Sequence, residues 1–370
     1  MRHLLDRRAF TATAISAAAS AATTPQPLEA ALITHADGPH LSAYIEAIAH
    51  TPEIGKVSLC DTSGKTEAAV HKGVGGKFLS AYRSPAELFA ARKPTFALIT
   101  MEAKLAPPAI AAAINVGCHV MAEKPACVRA ADFAPLAAQA EAGKRNLMLA
   151  LANRKDPYQI EARRIVQSGL IGRVYGVDLQ IIADQTRLTR PAYHQTWTAQ
   201  RARSGGGHLI WLGIHWLDLA MYITGSPITQ VAGFAGNVGG QPIDTEDSAA
   251  LTLRFANGTF GNLTSGYYID RGKQLSIKVW GSEGWLEFRN DTAPELVWFT
   301  TKGELAGRPQ RYTAPPGGPS LYTAFVQHAA RSAAGLEPPM LTPAESLRVL
   351  RVVFAGYRAA ETGRTQNVEG

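Results

Sequence analysis

The sequence predicts an α/β protein in two parts: a doubly wound parallel sheet first, then an α/β domain with an open, mostly antiparallel sheet. Three observations carry this prediction. Between residues 28 and 150, short apolar runs alternate with stretches of helical period, the rhythm of parallel strands joined by crossover helices. Beyond residue 240, strand-like segments are joined by tight turn signals, the mark of hairpins. Between the two lies SGGGHLIWLGIHWLDLAMYITG, Ser204 to Gly225, an apolar helical stretch with a few polar groups that suits the floor of a pocket.

Composition bounds the class. A chain of 370 residues is long enough for two cores, and 46% hydrophobic with 18% charged residues is the balance of a globular protein. The formal charge of +7 favours anionic partners, but no Lys/Arg run forms a nucleic-acid patch, so nucleic-acid binding is not expected. No membrane span is expected either. Cys60, Cys118 and Cys127 fit neither a zinc spacing nor a disulfide framework and read as small buried hydrophobes. Residues 1–25 begin with a basic stretch containing Arg7-Arg8 and run into a mild Ala-rich segment. This resembles a twin-arginine export signal and predicts a periplasmic protein, or a cytoplasmic one if the segment is not a signal.

The first part, residues 28–150, reads as a dinucleotide-binding unit. LEAALIT (28–34), VSLCD (57–61), FALIT (96–100) and HVMA (119–122) are candidate buried strands. LSAYIEAIAH (41–50) and Pro107–Val116 are the helices read between them. Ligands of such sheets sit beyond the strand C-termini. That places His35, Asp37 and Gly38 at the first turn, where phosphate would meet free backbone N–H groups, and Asp61 where a ribose would sit. Thr100 and Glu123 end two further strands and complete the expected cofactor set. Asp61 is equally readable as an acid capping its own strand. The turn lacks G-x-G-x-x-G and offers only Gly38, with Asp37 at a glycine position. Either the loop follows another path, or nucleotide binds weakly or not at all.

The second part, residues 151–370, reads as a substrate and oligomerisation domain. VYGVDLQII (174–182) is a strand, and 188–203 is a long polar loop whose Tyr193 and Trp197 are candidate substrate contacts. In the next helix, His208, Trp211, His215 and Asp218 fall at spacings that make one polar stripe, opposite Leu209, Leu212, Trp216, Leu219 and Ile223. His208, Trp211 and Asp218 are therefore also expected on the substrate. Seven residues of helix, about 10 Å, separate the histidines, so no metal site is expected from them. AALTLRF-AN-G-TFGNLTS and LSIKVW-GSEG-WLEF are hairpins, while Ser320–Ala334 and Pro343–Thr362 are helices, the second expected to pack back on the first domain.

GCHVMAEKP at 117–125, the glycine-led helix, Asn153-Arg154, QSGLIGRVYGV at 167–177 and Trp197 resemble, in type and order, segments of the glucose-fructose oxidoreductase, inositol dehydrogenase and MocA-like family. The resemblance implies a Rossmann domain, NAD or NADP as cofactor, and a carbohydrate or cyclitol substrate. It also implies a homodimer or homotetramer, with Lys124 catalytic and His215 the acid/base. An imidazole suits removal of a hydroxyl proton, and an ammonium suits stabilisation of the developing alkoxide. Two positions depart from the pattern: Trp211 stands where the family has Asp, and Leu105, beside Lys104, where it has His. Three functions stand as alternatives: an exported sugar oxidoreductase, a redox-assisted glycosidase or lyase that retains its nucleotide, and a carbohydrate-binding relative without activity.

Overall fold

The computed structural model describes residues 26–369, so the export-like segment 1–25 lies outside the described residues. The first sheet is built from β1 (Leu28–Thr34), β2 (Ile54–Asp61), β3 (Phe78–Tyr82), β4 (Phe96–Thr100), β5 (His119–Ala122) and β6 (Leu147–Leu149). They lie in the order β3-β2-β1-β4-β5-β6, every pair parallel. The crossovers carry α1 (Leu41–His50), α2 (Glu67–Val74), α3 (Pro85–Ala91), α4 (Ala106–Asn115) and α5 (Ala130–Ala142). Helices on both faces explain why β4 is buried at every position and reads as an unbroken apolar run. The strand order reverses between β1 and β4, which makes their C-terminal ends the crevice of the sheet. β3 and β6 escape the sequence reading because each is short and shows little period.

The second half begins with α6 (Pro157–Gln167), capped by the Asp156 carboxylate. It continues through β7 (Val174–Asp184), α7 (Pro191–His194), α8 (Arg201–Ser204), α9 (Ile214–Thr224), β8 (Ile228–Gly236), β9 (Ser248–Phe255), β10 (Phe260–Ile269), β11 (Lys273–Gly281), β12 (Gly284–Asn290), β13 (Pro294–Thr300) and β14 (Gln310–Tyr312). It closes with α10 (Leu321–Ala333), α11 (Pro343–Thr362) and β15 (Gln366–Asn367). The nine-stranded sheet runs β14-β13-β12-β11-β7-β10-β9-β8-β15, with β10 parallel to β7 and every other pair antiparallel. Both hairpins form where the sequence places them. Gly258, at φ 86°, closes the first from the left-handed region.

The two sheets share one apolar core. α11 links them: Ser346 Oγ donates to the Leu147 carbonyl and accepts from the Leu149 N–H of β6, both at 3.2 Å. Further along, the Tyr357 hydroxyl donates to Glu246 at 2.9 Å, beside the start of the pocket-floor helix. A Thr342/Glu345 capping box and Pro343 at the first turn start α11, and left-handed Gly363 stops it.

Candidate active site

The pocket floor is set by its glycines. Gly205 sits at φ 83°, a Cβ on Gly206 would lie 2.0 Å from the Tyr357 hydroxyl, and one on Gly207 would lie 1.9 Å from the Glu246 carbonyl. The Glu246 carboxylate accepts from the Gly207 N–H at 2.6 Å and the Leu209 N–H at 2.9 Å, which satisfies free donors at the helix start. The next turn is not α-helical: Leu209–Gly213 forms a π-turn, and the Ile214 N–H reaches back to the Leu209 carbonyl. The extra residue in that turn rotates α9 relative to the residues before it.

That rotation shifts His208 relative to His215, and only Trp211 and His215 of the expected polar stripe reach the cavity. Trp211 and His215 line a cavity of about 390 Å³, together with Leu212, Trp216 and Leu219. His208 is fully buried behind the cavity wall, its Nδ1 on Ser265 Oγ at 2.7 Å and its ring edge-on to Tyr267 at 4.4 Å. Burial, then the charge of Arg187, pushes its pKa down to about 3. Asp218 is buried elsewhere: Arg154 Nε lies 3.2 and 3.0 Å from its two oxygens, and Arg154 Nη2 lies 2.6 Å from Oδ1. Neither residue lines the cavity, so the expectation that they touch substrate is corrected. The α-helical spacing could not reveal a π-turn, and the pairing with Arg154 spans 64 residues. Tyr193 does not line the cavity; it packs with Leu188 and Tyr267 in a small cluster behind Ala183 and Leu212, which do. Trp197 sits behind the wall, its ring tilted against Trp211 at 5.2 Å.

Lys124 reaches the cavity from the other domain, at the end of β5 and before a cis peptide bond to Pro125. Its ammonium is buried, donates to the Trp211 carbonyl at 2.9 Å and lies 4.2 Å from the Trp211 ring centroid. Burial lowers its pKa to about 8, against the raising effect of Glu123. Glu123 Oε1 is 3.7 Å from that nitrogen, while Oε2 accepts from Tyr44 and faces His40 Nδ1 at 3.3 Å. His215 is held neutral: burial first, then Lys124, His40 and Lys273, keep its pKa well below the usual histidine value. Its Nδ1 is buried without a partner, as are Glu123 Oε1 and Trp211 Nε1. With Gln159 Oε1, four polar atoms without a hydrogen-bond partner around one cavity mark a place for a polar ligand. His40, Tyr322, Asn153, Gln159 and Asn290 also line it; the sequence reading names only Asn153 among them, as part of a family-like segment and without a site role. His40 carried a local signal, since it comes directly after the Gly-Pro of the first turn.

A larger groove of about 1060 Å³ runs between α5 and α11. Its ionisable lining is arginine, tyrosine and carboxylate, with no lysine, imidazole or thiol to move a proton near neutral pH. The smaller cavity is therefore the candidate active site.

The remaining expected cofactor residues lie outside that cavity. His35 is almost fully buried; the Asp37 N–H lies 3.0 Å from its Nδ1 and the Glu102 N–H 2.9 Å from its Nε2, and a neutral ring accepts from one of the two. The imidazole thus lies against the amides of the first turn, where the sequence reading places a phosphate. Gly38 serves close packing, since a Cβ there would lie 2.3 Å from Thr34 Oγ1 and 2.7 Å from the Thr100 carbonyl. Thr100 uses its hydroxyl on the Pro39 carbonyl. Both Asp61 oxygens are taken by its own turn, from the Ser63 and Thr66 N–H groups and hydroxyls at 2.6 to 2.9 Å. Burial would raise its carboxyl, but those donors outweigh it and hold the pKa low. Asp61 is the strand cap, and the ribose role is corrected. From the second domain, Trp197 Nε1 donates to the Asp37 carbonyl at 3.4 Å, and Arg203 pairs with Glu102 across the crevice.

A parallel sheet with its crevice at a switch point, facing a second domain that contributes an imidazole, defines a two-domain α/β oxidoreductase. The comparisons name the family. Residues 38–151 match the model of the oxidoreductase family with an NAD-binding Rossmann fold, and residues 160–287 match the GFO/IDH/MocA C-terminal domain. The chain belongs to this family of NAD-binding oxidoreductases. It is 25% identical to D-glucoside 3-dehydrogenase of Escherichia coli over 92% of this chain and 98% of that one. It is 27% identical to levoglucosan dehydrogenase of Pseudarthrobacter phenanthrenivorans over 57% and 60%. Among solved structures, the oxidoreductase domain protein of Kribbella flavida superposes with a TM-score of 0.82 at 22% identity, over 93% of this chain and all of that one. The aldose-aldose oxidoreductase of Caulobacter crescentus gives 0.77 at 23%, over 92% and all of that chain.

Proposed function

We propose that this chain moves a hydride between a nicotinamide and a secondary hydroxyl of a sugar, glycoside or cyclitol. The observation that supports it best is the presence, in one cavity, of a buried amine and a neutral imidazole whose Nδ1 has no hydrogen-bond partner. The nicotinamide, when bound, supplies the hydride acceptor. His215, neutral at physiological pH, takes the hydroxyl proton at Nδ1. Lys124, protonated below its pKa of about 8, stabilises the oxygen as charge develops. Trp211 and Trp216 give the cavity apolar aromatic surface against which a sugar ring packs. Relatives named D-glucoside 3-dehydrogenase and levoglucosan dehydrogenase favour a carbohydrate substrate.

The test is purified chain with NAD or NADP and a panel of hexosides, anhydrosugars and inositols, tracking reduced nicotinamide by absorbance. Turnover of a panel member that is lost in both Lys124→Ala and His215→Ala supports the reading; turnover retained in both variants overturns it. A second reading, a glycosidase or lyase that keeps its nucleotide, is favoured by the covered first turn, which would slow cofactor exchange. It requires release of sugar from a glycoside with no net reduced nicotinamide. The export-like N-terminus favours a periplasmic location. The open face of the second sheet carries exposed Tyr175, Phe234, Phe260 and Trp280, which favours burial in a dimer or tetramer. Among the described residues, no helix is long and apolar enough to cross a membrane.

A further inference from the structure

We infer that the mouth of this cavity receives a negatively charged group on the sugar, a carboxylate or a phosphate, between Arg187 and Lys273; the inference rests on the cavity being the substrate site. The charges around the cavity do not balance within the chain. Its lining holds three cations, Lys124, Arg187 and Lys273, and two carboxylates, Glu123 and Asp156. Glu123 is engaged by Lys124, Tyr44 and His40. Asp156 is engaged as the cap of α6, accepting from the Tyr158 N–H at 2.8 Å. Among the described residues, Arg187 and Lys273 have no carboxylate within ion-pair distance. Asp184, which feels the charge of Arg187, already accepts from the Thr186 N–H at 2.7 Å.

The two unpaired cations are brought together by the sheet. Lys273 opens β11 and pairs in register with Ala183 near the end of β7, and Arg187 lies just beyond that end. The guanidinium is held over the Tyr267 ring at 5.4 Å and donates to the Tyr267 hydroxyl at 3.3 Å, so its planar fork is oriented before a ligand arrives. Below them, the unpartnered His215 Nδ1 lies within the electrostatic reach of Lys273. An anionic substituent at the mouth would neutralise the excess cation while the ring hydroxyls approach the imidazole. A neutral sugar would leave both cations at the mouth without an anionic partner.

The experiment is calorimetric titration of the full chain with a hexuronate, a hexose phosphate and a neutral methyl hexoside. The uronate or the phosphate should bind about tenfold more tightly than the neutral glycoside, the scale of one well-formed charge-assisted contact. In the double variant Arg187→Gln/Lys273→Gln that preference should fall to near one; both side chains are exposed, so the variant should fold. Equal affinity for neutral and anionic sugars in the native chain, or a preference that survives the double variant, overturns the inference alone. Failure of all three to bind overturns the substrate-site reading with it.

Discussion

Replacing Lys124 by methionine should abolish turnover and yet stabilise the fold. The ammonium is 3% exposed, and burial, opposed by Glu123 and reinforced by Arg187, lowers its pKa from 10.5 to about 8. At about 1.4 kcal/mol per pH unit, keeping that amine charged costs the folded state on the order of 3 kcal/mol at pH 7. Methionine fills much of the same volume without a charge. It forgoes the hydrogen bond to the Trp211 carbonyl at 2.9 Å, a loss of about 1 to 2 kcal/mol. The net expectation is a gain of roughly 1 to 2 kcal/mol, a few degrees in melting temperature. The native amine has the lower pKa, so the folded state sheds its proton first as pH rises. Wild-type stability therefore climbs between about pH 8 and 10.5, while the variant shows no such climb. Urea unfolding of both proteins at pH 7 and pH 10 reads this directly. A variant less stable than wild type at pH 7, or a difference that ignores pH, would refute the reasoning.

His215→Gln should lower kcat by about 10²- to 10⁴-fold with little change in melting temperature, since it removes proton transfer and leaves the packing. The wild-type kcat/KM should stay level as pH falls from 7 to 6, because His215 is held neutral there, and should decline as pH rises past about 8, where Lys124 loses its proton. Asp218→Asn should act on folding and not on KM, because it leaves the buried Arg154 without its carboxylate; about 3 kcal/mol is expected in chemical unfolding, and Arg154→Met with Asp218→Leu should restore most of it. Gly207→Ala should destabilise by more than about 2 kcal/mol and lower activity, because its Cβ meets a backbone carbonyl that cannot step aside. His35→Ala should tighten NAD binding in calorimetry by opening the space against the Asp37 and Glu102 amides, one of which donates to the ring; weaker binding would show that the imidazole does not stand in the phosphate's place.

The sequence by itself determined the two-part α/β architecture, both hairpins, the long last helix and the order of the segments that identify the family. Each of these rests on short-range information: runs of buried strand, the period of a helix, a glycine at a turn. The same local reading put Lys124 at a strand end and His215 on the pocket-floor helix, and both line one cavity. The readings that failed needed contacts between residues far apart in the chain, or backbone geometry that side-chain spacing does not encode. The π-turn at Leu209–Gly213 shifts the phase between His208 and His215, and Asp218, in the same regular helix as His215, is held by Arg154 from 64 residues away. Asp61 was taken by its own turn, and His35 by the amides of two different loops. Periodicity specifies which face of an element is apolar. Only the packed tertiary structure decides which polar group on that face meets a partner and which is left open to a ligand.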